Sequence, residues 1–388
     1  MSYLVVLVKA IYHVYWCAFY RLITLFRPLA YSIPKNSREI SAQWIETVLS
    51  SGNPESISQI DRVEIEQRSS GTTDRSGVTL HYDTKTGRPP GKYFVKARAI
   101  DWATGVFGAL FELGITEVRF YSQIQSQVGI KTPKAFLAKA RDAGGDFILL
   151  LEDLVEQGAV FKSAADKCNL EETEQIIRAL ATLHARFWQT TKFDSEWSWV
   201  QSSSMDKNKD LQKVIVGFAF KKVFRDFNQL IPDSLLENQS LLESTVEKVH
   251  RLNKLRPETL LHGDPHIGNT YFTNGKVGLL DWQVLQRGCG MKDISYFMIL
   301  SVPEKIRTEH QWALIAQYVE CLKAHGVDNY SLEMAREDYI VNSIHPFVAA
   351  LVTVASGAMQ EADIAEQGLL NSTKALLDLD ALDVFEHM

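Results

Sequence analysis

Two hydrophobic periods divide this chain, and the point where one gives way to the other limits the fold more than any single residue. From about residue 60 to 155, apolar residues alternate with polar ones. Val63 and Ile65 alternate with charges, and Val78 and Leu80 with polar side chains, the two-residue period of strands. A polar stretch containing Gly71 joins these two runs as a hairpin. A third strand is predicted through residues 93–96, and two more over 133–138 and 147–151, with a turn at Gly144 and Gly145. One helix, 110–125, interrupts the strands, and a short amphipathic helix, 41–49, precedes them. After Asp153 the spacing changes to three and four. Helices are predicted over 170–188, 218–230, 235–255, 309–325 and 334–357. The arrangement is α+β, with a small antiparallel sheet lobe followed by a larger, mainly helical lobe. The predicted limits are 1–34 for an apolar N-terminal helical extension, 35–153 for the sheet lobe and 154–388 for the helical lobe.

One stretch of the helical half obeys neither period. "LLHGDPHIGNTYFTNGKVGLLDWQ", residues 260–283, places Asp264 and Asn269 five apart and Asp281 twelve further on. Short strands are predicted at 260–261, 271–272 and 277–280, with Gly275 turning the last two. A sheet lobe followed by a polar loop in a helical lobe suits ATP-dependent phosphoryl transfer. The moving phosphoryl group needs a cation for the phosphates, oxygen ligands for a metal, and a carboxylate to take the proton of the attacking hydroxyl. Mg²⁺ prefers oxygen ligands and keeps several waters. Asp264, at the head of the loop, is placed to be the base. Asn269 can turn back to the metal, and the last strand delivers Asp281. His262 reads as a loop-organising residue bonded to the backbone, and His266 as structural or supporting.

Bulk properties remove other classes. A formal net charge of -6 argues against nucleic acid as a partner. The four cysteines, Cys17, Cys168, Cys289 and Cys321, have neither metal-ligand spacing nor a disulfide pattern, which is read as reduced thiols in a cytoplasmic protein. Cys289, between two glycines, has no base nearby in sequence and is not read as a nucleophile. From Glu304 onward, fourteen Asp and Glu face five Lys and Arg. That surplus is either solvated helix faces or an attraction for a cationic substrate. Residues 3–26 are strongly apolar, but Lys9, His13, Cys17, Arg21 and Thr24 fall on one helical stripe. Such a helix can lie in a membrane interface, giving peripheral contact through residues 3–30, or pack on the protein. It can also span a bilayer, at about 2.5–3.5 kcal/mol for each buried cation near the centre.

"HGDPHIGN" followed by "LLDWQ" resembles the aminoglycoside phosphotransferase and choline kinase superfamily, a branch of the protein-kinase-like fold. "LATLHARFW" at 180–188 and "FVKAR…ELGITEVRFYSQI" at 94–124 resemble its ecdysteroid-kinase-like members. The resemblance covers about residues 40–360 and leaves the first 34 outside. It implies a bilobal fold, ATP and Mg²⁺ as cofactors, Asp264 as catalytic base, and Asn269 and Asp281 as metal ligands. It further implies that Lys96 binds the α- and β-phosphates and that Glu117 pairs with it. Ser70, Gly71 and Thr72, in "SSGTTDR", match the phosphate-covering loop, which here has a single glycine. Glu152 to Leu154 match the hinge that pairs with adenine, and Asp293 matches a residue that braces the catalytic loop.

The expected activity is transfer of phosphate to a hydroxyl of a small molecule, with a lipophilic or steroid-like alcohol as one acceptor and an aminoglycoside- or choline-type cation as the other. A nucleotide-binding pseudokinase without turnover is the non-enzymatic alternative. A protein kinase is disfavoured, because no Ala-Pro-Glu segment or activation loop follows residue 300. Trp312, Tyr318, Tyr339 and Phe347 are candidates for a pocket wall or for core packing.

Overall fold

The computed structural model describes residues 36–50, 60–83, 90–141, 145–202, 208–357 and 359–388, together with positions 11, 12, 15, 16, 19, 33 and 34. The expectations for the 1–34 extension and for the turn at Gly144 lie mostly outside these residues. The chain divides into two compact units. One comprises residues 1–126, 132–160 and 281–283, the other residues 127–131, 161–280 and 284–388.

The first unit is built on a five-stranded antiparallel sheet. Its strands are β1 (Ile60–Ser70), β2 (Thr73–Tyr82), β3 (Gly91–Arg98), β4 (Ala135–Ala140) and β5 (Phe147–Glu152), in the order β1-β2-β3-β5-β4. Strand alternation sorts the faces. Val78, Leu80, Val95, Ala97, Ile148 and Leu150 are buried in one cluster with Ile40 and Ile45, the latter on helix α1 (Ala42–Ser50). Lys96, between Val95 and Ala97, therefore points to the other face. In register it stands opposite Arg75 on β2 and Leu149 on β5.

A helix not anticipated from the sequence precedes the one expected over 110–125, which starts only at Leu113. Helix α2 (Trp102–Leu110) ends, Glu112 takes a left-handed conformation at φ 55°, and α3 (Leu113–Arg119) begins. The chain then widens into a π turn at Phe120–Ile124. Helix α3 lies so close to β5 that a Cβ on Gly114 would meet the Phe147 ring at 2.0 Å; only glycine permits that approach.

The second unit is mainly helical. Helix α4 (Leu170–Arg186) starts with a capping box between Asn169 and Glu172. It is followed by α5 (Lys209–Asp226), α6 (Asp233–Glu237) and α7 (Gln239–Asn253), then α8 (Met291–Ser301) and α9 (Glu304–Ala324). Helices α10 (Leu332–Asn342), α11 (Ile344–Ser356), α12 (Ala362–Asp378) and α13 (Ala381–Glu386) complete the chain. Two expected helices are thus each split: 235–255 at Asn238, and 334–357 at Ser343. Pro346 has no N–H to bond back to Asn342, which favours a break there. Helices α8, α12 and α13 were not anticipated from the sequence. Among the described residues, only Leu332–Ser356 is long and apolar enough to cross a membrane, and 67% of that stretch is buried inside the protein.

Four short strands interrupt the helices. Strands β6 (Thr259–Leu261) and β9 (Gln286–Gly288) pair, and β7 (Thr270–Thr273) and β8 (Lys276–Leu279) form a hairpin. They hold the two ends of the loop that follows Leu261.

Candidate active site

In the first unit, Lys96, Glu117 and Asp281 form one charged group. The Lys96 ammonium lies 2.6 Å from Glu117 Oε2 and 2.7 Å from Asp281 Oδ1. The side chains of Lys96 and Glu117 are 4% and 1% exposed, so the charges survive only because they are paired. Burial pushes the Glu117 carboxyl up; Lys96 pulls it down, and the neighbouring Asp281 adds to the rise. Asp281 adopts φ 67°, an uncommon conformation for a residue with a side chain. The two residues after it are clamped. The Trp282 N–H donates to Glu117 Oε1 at 3.3 Å, and the indole stacks on Phe120 at 4.0 Å between centroids. Gln283 Nε2 lies 3.5 Å from Thr72 Oγ1.

The β1–β2 hairpin turns on Gly71 and Thr72 alone. Ser70 is the last residue of β1, and the Gly71 N–H closes the turn on the Thr73 carbonyl at 3.2 Å, which takes one backbone donor out of the segment read as a phosphate-covering loop. At the end of β5, the Glu152 N–H donates to the Lys134 carbonyl, and its carboxylate accepts the Lys134 N–H. Asp153 is held by both Nη atoms of Arg68, at 3.0 and 2.5 Å. The Leu154 carbonyl accepts from Gln157 and Ala159, whereas the Leu154 N–H has no partner among the described residues.

In the second unit, Asp264 and Asn269 form another group, set by the backbone of their loop. Gly263 has φ 87°, and a Cβ there would meet the Val284 carbonyl at 2.2 Å. Asn269 Nδ2 donates to the Asp264 carbonyl at 2.9 Å and to its Oδ2 at 3.2 Å. The buried Tyr296 hydroxyl is near the same carboxylate; burial, then that charge, push it well above the usual phenol range. His262 Nδ1 accepts the Asp264 N–H at 3.3 Å, and its Nε2 reaches the Leu280 carbonyl at 3.0 Å. These partners assign a neutral imidazole that ties the loop to the strand before Asp281. His266 caps the turn by accepting the Gly268 N–H, and its Nε2 stands 3.6 Å from Asp264.

Asp293 is the brace. It is 1% exposed, accepts the N–H groups of His262 and Gly263 at 2.7 and 3.0 Å, and meets His184 Nε2 at 3.3 Å. His184 Nδ1 in turn faces the Tyr318 hydroxyl at 2.9 Å. His184, Tyr318 and Tyr296 were missed as members of this network. Their sequence contexts are ordinary helix interiors, and only the place of His184 within "LATLHARFW" hinted at it.

Other expectations resolve simply. Tyr318, Tyr339 and Phe347 are fully buried core residues, and Trp312, 38% exposed, packs against Tyr339. The acidic surplus after Glu304 is solvated. Of its fourteen carboxylates only Asp338 is buried, bonded to Arg256 at 2.6 Å, and only Glu366 is half-buried. Cys168 and Cys289 are buried free thiols. Burial raises the Cys289 pKa strongly, which leaves it inert.

The profile of the Ecdysteroid kinase-like family matches residues 116–327, more than half of the chain. That span includes Glu117, Asp264, Asn269, Asp281 and Asp293. Choline kinase from Cryptosporidium parvum Iowa II is similar in structure, with a TM-score of 0.51 and 13% identity, covering 89% of this chain and 97% of that one. A mutant of aminoglycoside 2'-phosphotransferase IIIa, solved as a GDP complex, gives a TM-score of 0.50 and 12% identity over 85% of this chain and 96% of its own. At these identities they show a shared fold, the bilobal protein-kinase-like one. No curated protein matches the chain in sequence.

Proposed function

Because this chain belongs to the Ecdysteroid kinase-like family, a kinase-like family of small-molecule phosphotransferases, we propose that it transfers the γ-phosphoryl group of ATP, with Mg²⁺, to a hydroxyl of a lipophilic or steroid-like alcohol. The observation that carries the reading is the buried Lys96 ammonium held between two carboxylates, Glu117 and Asp281. A lysine fixed in this way presents a charge to phosphates without wandering. In this reading Asp264 accepts the proton of the acceptor hydroxyl. The new bond joins that oxygen to the γ-phosphorus, and the bond to the β,γ-bridging oxygen breaks, releasing ADP.

The donor set suits Mg²⁺. Asn269 spends its Nδ2 on Asp264 and keeps its carbonyl oxygen, so in this reading that oxygen and the Asp281 carboxylate would be the protein's ligands to the metal. Among the described residues no group of three or more His, Cys, Asp or Glu is placed to hold a metal ion by itself. That fits an ion carried largely by nucleotide phosphates and water, whose chemistry is to offset charge on the phosphoryl oxygens. The Leu154 N–H is available to an adenine ring nitrogen. The neighbour solved with GDP supports a nucleotide donor. The solvent-facing acidic surplus weakens the cationic-acceptor alternative, and the family's name supports a steroid-like one.

The test is ADP release by the full chain with a panel of sterols, lipophilic alcohols, choline and aminoglycosides, with and without Mg²⁺. Turnover of a lipophilic alcohol that needs Mg²⁺ is expected. Nucleotide binding without turnover on any acceptor would instead establish a pseudokinase. A cytoplasmic location with peripheral membrane contact through residues 3–30 belongs to the same proposal. Full-length protein should sediment with lipid vesicles, and a chain starting at residue 35 should stay in solution and still bind ATP.

A further inference from the structure

We propose that Arg75 is a second phosphate-binding cation of the nucleotide site, a role that rests on the nucleotide-binding reading above. Arg75 and Lys96 are direct cross-strand partners on β2 and β3, so both side chains stand on the same face of the sheet. They flank one carboxylate, with Lys96 on Asp281 Oδ1 at 2.7 Å and Arg75 Nη2 facing Oδ2 at 3.6 Å. Arg75 stands three residues beyond Thr72, on the strand that leaves the Gly71–Thr72 turn.

Charge balance makes the assignment. Lys96 and Arg75 together offset Glu117 and Asp281. Lys96 is fixed to meet a phosphate but is outnumbered by its two carboxylates, so a polyphosphate calls for a second cation on the same face, which Arg75 supplies. Were Asp281 to hold a metal, Arg75 would be the cation left to meet a phosphate. Its hold on Asp281 is loose, beyond hydrogen-bond length, and its side chain is 36% exposed against 4% for Lys96. Nε is steered by Thr73 Oγ1 at 3.3 Å, and Nη1 has no partner among the described residues. A guanidinium fork on a strand, anchored at one nitrogen and open at another, matches a phosphate's oxygens in a way an ammonium does not.

The test is the affinity of the full chain for ATP, ADP and AMP, by calorimetry and by thermal shift, with and without Mg²⁺. It compares wild type, Arg75→Gln and Arg75→Lys. Arg75→Gln should weaken ATP about 10-fold, the loss of one charge-assisted contact, and ADP by less, and leave AMP within about 2-fold. Arg75→Lys, which keeps the charge and removes the fork, should fall between. Equal weakening of ATP and AMP would make Arg75 merely a prop for Asp281 and overturn the proposal, as would no weakening. Should Arg75→Gln fail to melt cooperatively, the ATP to AMP ratio of Arg75→Lys decides in the same way. Wild type that binds no ATP overturns the nucleotide reading itself. Wild type that binds ATP with a ratio indifferent to Arg75 overturns only this inference.

Discussion

The charged group of the first unit and the loop carrying Asp264 and Asn269 in the second are held by opposite means. Lys96 and Asp281 are 185 residues apart in the chain, and with Glu117 they meet only through ionised side chains in a buried place. Asp264 and Asn269 are five apart, and their loop is fixed by side chains bonded to its backbone: His262 and His266 accept the N–H groups of Asp264 and Gly268, and Asn269 donates to the Asp264 carbonyl. One distant residue, Asp293, completes it. The first centre depends on charge complementarity, so a neutral isostere should disturb it. The second depends on filled backbone donors, so a residue that touches no substrate can matter as much as one that does.

The sharpest test of that contrast is Asp264→Asn. The isostere keeps the shape of the loop and removes the proposed proton acceptor. On that proposal turnover should fall by about 10³-fold or more, whereas ATP affinity, which the proposal places on Lys96, should change by less than about 3-fold. Wild-type-like turnover in this variant would remove Asp264 from the role of base.

Asp293→Ala should have the next largest effect, and on stability. It strips the acceptor from two buried N–H groups and from His184. Each orphaned donor costs about 1–3 kcal/mol, so the midpoint of thermal unfolding should fall by several degrees or more. Asp293→Asn, which can still accept one of these bonds, should lose less. Equal melting of both variants and wild type would mean that the loop stands without its brace. Glu117→Gln probes the other centre. Asp281 still neutralises Lys96, so the fold should persist, and KM for ATP should rise about 10-fold, the worth of one charge-assisted bond. A variant with unchanged KM but depressed melting would make the pair structural only.

The same contrast decides which features were legible in the sequence. The loop could be read directly, because its spacing is local: His262, Asp264 and Asn269 lie within eight positions. The sheet strands were legible as well, since Val95 and Ala97 face the apolar cluster while Lys96, between them, turns to the opposite face of the sheet. The break at Glu112 was not, because nothing in a glutamate announces a left-handed backbone. Neither were His184, Tyr296 and Tyr318, since a histidine or tyrosine in a helix interior reads as core until its partner is known. Arg75 was hidden for a related reason. Its place opposite Lys96 depends on strand register, which alternation alone leaves free by steps of two.

The smallest expected effect sharpens the contrast from the acid side. His250, on α7 in the second unit, is half-buried. Burial, then the charge of Lys292, draw its pKa down to about 4. His345 is drawn down in the same sense by burial and the same lysine. A histidine whose folded pKa lies below its unfolded value stabilises the protein above that unfolded value, and the contribution is lost as pH falls through the folded one. The decline should therefore run from about pH 6.5 towards 4. For a partly exposed group it should amount to no more than about 2 kcal/mol. His250→Gln removes the titrating ring, so its stability should fall less steeply than wild type across that window and match it in slope above pH 7. Urea unfolding of both proteins from pH 4 to 8 measures this directly. Parallel curves throughout would place the acid sensitivity elsewhere, with the ion pairs of the first unit the next group to examine.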